Sequence, residues 1–136
     1  KILILARESG FNLEYDEVEK NHFLPTESIN TDSKDEFILS LKENNDHFNQ
    51  ILNDAKEKNC RLKFVAKLDN GKASVGLEAV PIDHPFYNLV GSDNITVFFT
   101  ERYKESPLVV KGAGAGGEFT ASGVFADIIK ASQENG

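Results

Sequence analysis

Gly112, Gly114 and Gly117 fall in the spacing G-x-G-x-x-G, after a β-branched run and before a helical pattern. In that order a dinucleotide pyrophosphate is cradled by backbone N–H groups that no side chain obstructs. The same fingerprint needs a further strand with an acidic residue about 20 positions on, and only 19 of the 136 residues follow Gly117. The glycines therefore do not open a nucleotide-binding fold of their own. Their physical content survives: without Cβ atoms a ligand can approach the backbone closely, and N–H groups at a helix start favour electron-rich partners. The loop either lines a cofactor site owned by another domain or simply connects a strand to a helix.

The remaining chemistry-bearing residues point to little else. His84 precedes Pro85 and reads as a turn residue, since no Ser, Cys or Asp stands in a spacing that marks a catalytic triad. His22 and His47 read as surface residues. Glu118 sits at a helix entrance, where the dipole favours a carboxylate, and reads as structural. Cys60 is the single cysteine, which excludes an intrachain disulfide; with no Cys/His zinc spacing, no metal is expected, and a reducing, cytoplasmic compartment is. The 22 acidic against 15 basic residues give a net charge of -7 with no basic stripe, which argues against nucleic acid. The mixed-sign runs Glu14 to Lys20 and Lys56 to Lys58 read as solvated surface. The apolar run Ile2 to Ala6 is far too short to span a membrane, so no membrane partner is expected.

The elements that must position these residues follow from local signals. Lys1 to Ser9 is a helix ended by Gly10, whose beginning is missing; a chain that opens on Lys1 inside a helical pattern, with no methionine, is expected to be a piece of a longer product. Leu13, Tyr15 and Val18 offer a short strand or two before Pro25 and a polar loop. Ser33 and Glu36 have the form of a capping box, and Phe37, Leu41, Phe48, Leu52 and Ala55 predict one long helix over Ser33 to Lys58, or two broken at Asn44-Asn45.

After Cys60 the period becomes two: Leu62, Phe64, Ala66 and Leu68 alternate with Lys63, Val65 and Lys67, a half-buried strand. Asp69-Asn70-Gly71 supplies a tight turn, and Ala73 to Val80 returns to complete a hairpin. Ile95 to Thr100 and Leu108 to Val110 are two more strands. In the closing helix, residues 117–136, Ala121, Val124, Phe125, Ile128 and Ile129 form a stripe that must face a core or a neighbouring domain. The fold class is α+β, with a mostly antiparallel or mixed sheet flanked by helices, and residues 1–136 read as one domain.

His84-Pro85-Phe86-Tyr87-Asn88-Leu89, Gly91-Ser92-Asp93-Asn94, Arg102-Tyr103 and Pro107-Leu108-Val109-Val110 resemble the homoserine dehydrogenase family, especially its bifunctional members. So do the tail segments Gly112-Ala113-Gly114-Ala115-Gly116 and Thr120 to Asp127, and the opening Lys1 to Glu8 is similar to the helix at the family signature. The likeness runs from end to end and is weakest between Lys20 and Asn59.

The resemblance implies an enzyme, or part of one, that interconverts aspartate 4-semialdehyde and homoserine with NADP or NAD in threonine, methionine and isoleucine biosynthesis. It implies that Lys1 is the catalytic lysine. It aligns Gly116 with the glycine whose backbone approaches the nicotinamide, with Gly114 and Gly112 shaping the loop. It further implies an upstream Rossmann domain against which the closing helix packs, an aspartokinase before that, and a homodimer formed through the sheet. The chain is then a catalytic (substrate-binding and dimerisation) fragment, expected to be inactive and to hold no cofactor alone. The competing expectation is a ligand-sensing or dimerisation domain that keeps the fold without the reaction.

Overall fold

The computed structural model describes residues 1–134. The chain divides into two compact units, Lys1–Tyr87 and the residues from Asn88 onward. Five α-helices and two small sheets among the described residues make it α+β.

In the first unit, α1 (Ile2–Glu8) ends as its sequence predicts. Gly10 takes φ 87°, its N–H donates to the Arg7 carbonyl at 3.0 Å, and the Phe11 N–H donates to the Ala6 carbonyl at 3.0 Å. These two bonds satisfy carbonyls that the helix end leaves open, and only a residue at ease with positive φ lets them form together. The next segment forms a 3₁₀ turn, Tyr15–Glu17, and then one three-residue strand, β1 (Glu19–Asn21). The turn carries a capping box, in which Glu17 Oε2 accepts the Glu14 N–H at 2.7 Å.

The stretch after Pro25 was expected to be a loop and instead begins with a helical turn, α2 (Thr26–Ile29). Its Ser28 is fully buried and shares a hydrogen bond with the Ser40 hydroxyl of α3 (Lys34–Glu43), so a side-chain contact holds a turn that local propensity does not announce. Ser33 caps α3 by accepting the Glu36 N–H at 3.2 Å. Glu36 reaches back past Ser33 to the Asp32 N–H, so the box is opened by one residue. Of the one-helix and two-helix readings, two helices form: Asn44 turns its side-chain amide onto the Ser40 carbonyl at 3.0 Å, and α4 (Asn45–Glu57) starts afresh.

β2 (Arg61–Asp69) and β3 (Lys72–Val80) pair antiparallel through a turn with Asn70 at φ 47° and Gly71 at φ 80°. Positive φ at both positions is what a two-residue turn matched to strand twist requires. β1 then adds parallel to β3, giving the order β1-β3-β2. Burial in β2 does not follow its apolar side: Val65, on the lysine face, is buried, and Phe64 is 68% exposed. Val65 lies opposite Gly76, the point where β1 comes close, since a Cβ at Gly76 would run into Asn21. The core of this unit is small, built on Ala6, Val18, Ala55, Val65, Ala73 and Val80.

The second unit pairs β4 (Asp93–Phe98) antiparallel with β5 (Leu108–Ala113) and continues into α5, which runs from Gly117 to Glu134. β5 extends past Val110, so Gly112 is a strand residue facing Asn94 across the ladder rather than part of a loop. The α5 stripe is exposed, Phe125 to 64%.

Candidate active site

Lys1 stands at the N-terminal cap of α1 and is exposed. Around it lies a cavity of about 360 Å³ whose floor is apolar, with Leu3, Val18, Phe64 and Val75 among its lining residues. Two further basic side chains reach the same cavity, Lys20 and His22. The Lys20 ammonium sits 4.1 Å from the centroid of the Tyr15 ring, a cation–π contact that draws the 3₁₀ turn and β1 together. β1 is what brings these groups to Lys1: parallel pairing sets Lys20 opposite Val75, itself a cavity residue.

Lys1 is singled out in the sequence only through the family likeness, while Lys20, in the mixed-sign run from Glu14, and His22 both read there as surface. A faint signal exists, since Val18, Lys20 and His22 recur at spacing two and all line the cavity. With only three residues in β1, that alternation is too short to declare a strand face.

The glycines belong to the second unit. Gly112 is held in the ladder, and the Gly114 N–H donates to the Ser92 carbonyl at 3.3 Å, one step beyond the last strand pair. A Cβ added to Gly114 would overlap the Asn94 carboxamide, so a side chain here requires Asn94 to move. Gly116 has φ 137°, and a Cβ there would meet nothing within 4 Å. Its carbonyl accepts the Thr120 N–H at 3.0 Å, and Gly117 begins the helix with Glu118 in the first turn. The result is bare, open main chain at a helix entrance.

The other histidines have structural roles. His84 Nδ1 accepts the Phe86 N–H at 3.1 Å and its ring meets Phe86 edge-on, which makes it the pivot of the turn into Tyr87. His47 Nε2 bonds the Phe23 carbonyl at 2.9 Å. Among the described residues no group of three or more His, Cys, Asp or Glu side chains is placed to hold a metal ion, and no helix is long and apolar enough to cross a membrane.

A largely apolar cavity lined in part by Lys1, Lys20 and His22 suits a small molecule that carries or develops negative charge on oxygen.

The homoserine dehydrogenase family profile matches residues 1–129. The chain is 42% identical over 132 residues to the bifunctional aspartokinase/homoserine dehydrogenase 2, chloroplastic, of Zea mays, covering 96% of this chain and 14% of that protein. It is 40% identical over 134 residues to the bifunctional aspartokinase/homoserine dehydrogenase 2 of Escherichia coli, covering 98% of this chain and 16% of that one. The bifunctional protein of Haemophilus influenzae is 38% identical over 133 residues. The chain thus spans only 14% to 16% of the length of these relatives. Among solved structures it is similar to a Candida auris protein of unknown function, with a TM-score of 0.83 and 39% identity over 98% of this chain and 38% of that one.

Proposed function

The chain belongs to the homoserine dehydrogenase family, and from that premise we propose that it is the substrate-binding and dimer-forming portion of an enzyme that interconverts L-aspartate 4-semialdehyde and L-homoserine with NADP or NAD. The observation that supports this reading is the family match over residues 1–129, which takes in Lys1 and the glycine loop alike. The matched relatives are fused to aspartokinase by name, and we extend that arrangement to the parent of this chain. Two copies then pair through the sheet, in a reducing, cytoplasmic setting, in the service of threonine, methionine and isoleucine biosynthesis.

The roles of the residues follow from the charge changes in the reaction. Reducing an aldehyde places negative charge on its oxygen as hydride reaches the carbon. The Lys1 ammonium stabilises that oxygen and gives it a proton, producing the alcohol; in the reverse direction its neutral amine takes the hydroxyl proton. A nicotinamide dinucleotide, when bound, would supply or receive the hydride. Gly116 leaves its main chain bare where a planar ring can lie against it, while Gly114 and Gly112 shape the approach. The residues present fit such a group, because any side chain at Gly116 would project into the open space above the loop.

The test compares the intact parent enzyme with the isolated chain, each given aspartate semialdehyde and reduced NADP or NAD while nicotinamide absorbance is followed. The intact enzyme should turn over and the isolated chain should be silent. An intact enzyme inactive with both cofactors overturns the reading, and turnover by the isolated chain mislocates the active site.

A further inference from the structure

Asn94 and Gly114 compete for one space. Asn94 is anchored in β4 opposite Gly112, and a Cβ built on Gly114 would overlap its Nδ2, Cγ and Oδ1 atoms. On its other flank Gly114 is tied by its N–H to the Ser92 carbonyl at 3.3 Å. Below it the two strands are locked by the ladder and by the Lys111–Asp93 ion pair at 3.4 Å. Beyond Gly114 this support stops: Cβ atoms at Gly116 and Gly117 would meet nothing within 4 Å. Of these three glycines, only Gly114 has a side chain, that of Asn94, in the place of its missing Cβ.

A flat carboxamide on a short stem anchored in the ladder is a stiff spacer, since only two rotatable bonds separate it from the strand. We propose that Asn94 is a positioning residue, its carboxamide setting the height at which the Gly114–Gly116 backbone is presented to a planar ring. This rests on the reading of the loop as a cofactor wall. A packing role alone would change stability and leave cofactor affinity untouched.

The experiment is a double-mutant cycle in the intact enzyme, with Asn94→Ala, Gly114→Ala and the pair, reading the dissociation constant of reduced cofactor, KM for semialdehyde, kcat and Tm. Asn94→Asp, which keeps the shape, serves as the rescue, and Asn94→Ser replaces Asn94→Ala if the latter does not fold. Asn94→Ala should weaken cofactor binding by roughly fivefold with KM for semialdehyde little changed, and Asn94→Asp should recover most of that loss. Gly114→Ala should weaken binding by ~10-fold, and removing Asn94 in the double variant should restore a part of it, since contacting residues couple. Cofactor affinities that are unchanged in Asn94→Ala, or additive in the cycle, overturn the proposal. Gly116→Val separates the two levels: if it abolishes cofactor binding while the Asn94 variants do nothing, only the role of Asn94 fails; if it too leaves binding unchanged, the loop reading itself fails.

Discussion

The guanidinium of Arg61 lies 4.3 Å from the centroid of the Tyr87 ring, and its Nη1 donates to the Tyr87 carbonyl at 3.2 Å. One side chain at the start of β2 thereby holds the end of the His84 turn by two bonds of different kinds. Arg61→Ala should destabilise the chain by about 1 kcal/mol, the scale of an exposed cation–π contact plus a screened hydrogen bond. Arg61→Lys should recover only part, because a point ammonium cannot stack flat on the ring and reach the carbonyl at once. Urea unfolding of the three proteins checks this, and equal midpoints for Arg and Ala would remove the contact from the stability of the fold.

At the end of α1, Gly10→Ala should cost about 1 kcal/mol, because φ 87° is left-handed and the new methyl meets nothing within 4 Å. The penalty is then one of backbone conformation and not of crowding. Gly10→Asn should lose less, since asparagine tolerates that region. Thermal or urea midpoints that rank Ala above Asn would contradict the helix-end geometry.

Lys1→Ala in the intact enzyme should lower kcat by ~10²-fold or more, as expected for a lost proton donor or oxyanion stabiliser. Lys1 is exposed at a helix start, so the melting temperature should hardly move. A variant with near-normal kcat would take Lys1 out of the chemistry.

Gly116→Val places a β-branched side chain at φ 137° and in the space above the loop. Backbone strain alone should reduce stability by about 1–3 kcal/mol. A cofactor wall adds a second effect, loss of dinucleotide binding or hydride transfer in protein that is still folded. Fluorescence titration of reduced cofactor into wild type and variant, beside melting curves, resolves the two; unchanged affinity and turnover would leave the loop a connector.

What the residues determine by themselves is whatever depends on a few neighbours along the chain. Gly10 stops a helix because its own φ and two nearby carbonyls decide the matter, and Asn70-Gly71 turns the hairpin for the same kind of reason. The strands either side of that turn, the Ser33 cap, the α+β class and the family likeness are legible on the same terms. The break at Asn44 stayed open between one helix and two, because an asparagine amide can face solvent or turn onto the Ser40 carbonyl, and only the folded chain shows the second.

Tertiary structure decided the rest. The cavity at Lys1 gathers residues from α1, β1, β2 and β3, segments far apart in sequence, and it exists because a three-residue strand docks in parallel beside β3. The close approach is visible at Gly76, where a Cβ would run into Asn21. No local pattern encodes that insertion, just as none tells that Val65 rather than Phe64 is buried, or that Asn94 fills the place of a Gly114 side chain. Each depends on which strand lies opposite, and cross-strand register is a property of the pair that neither segment carries alone.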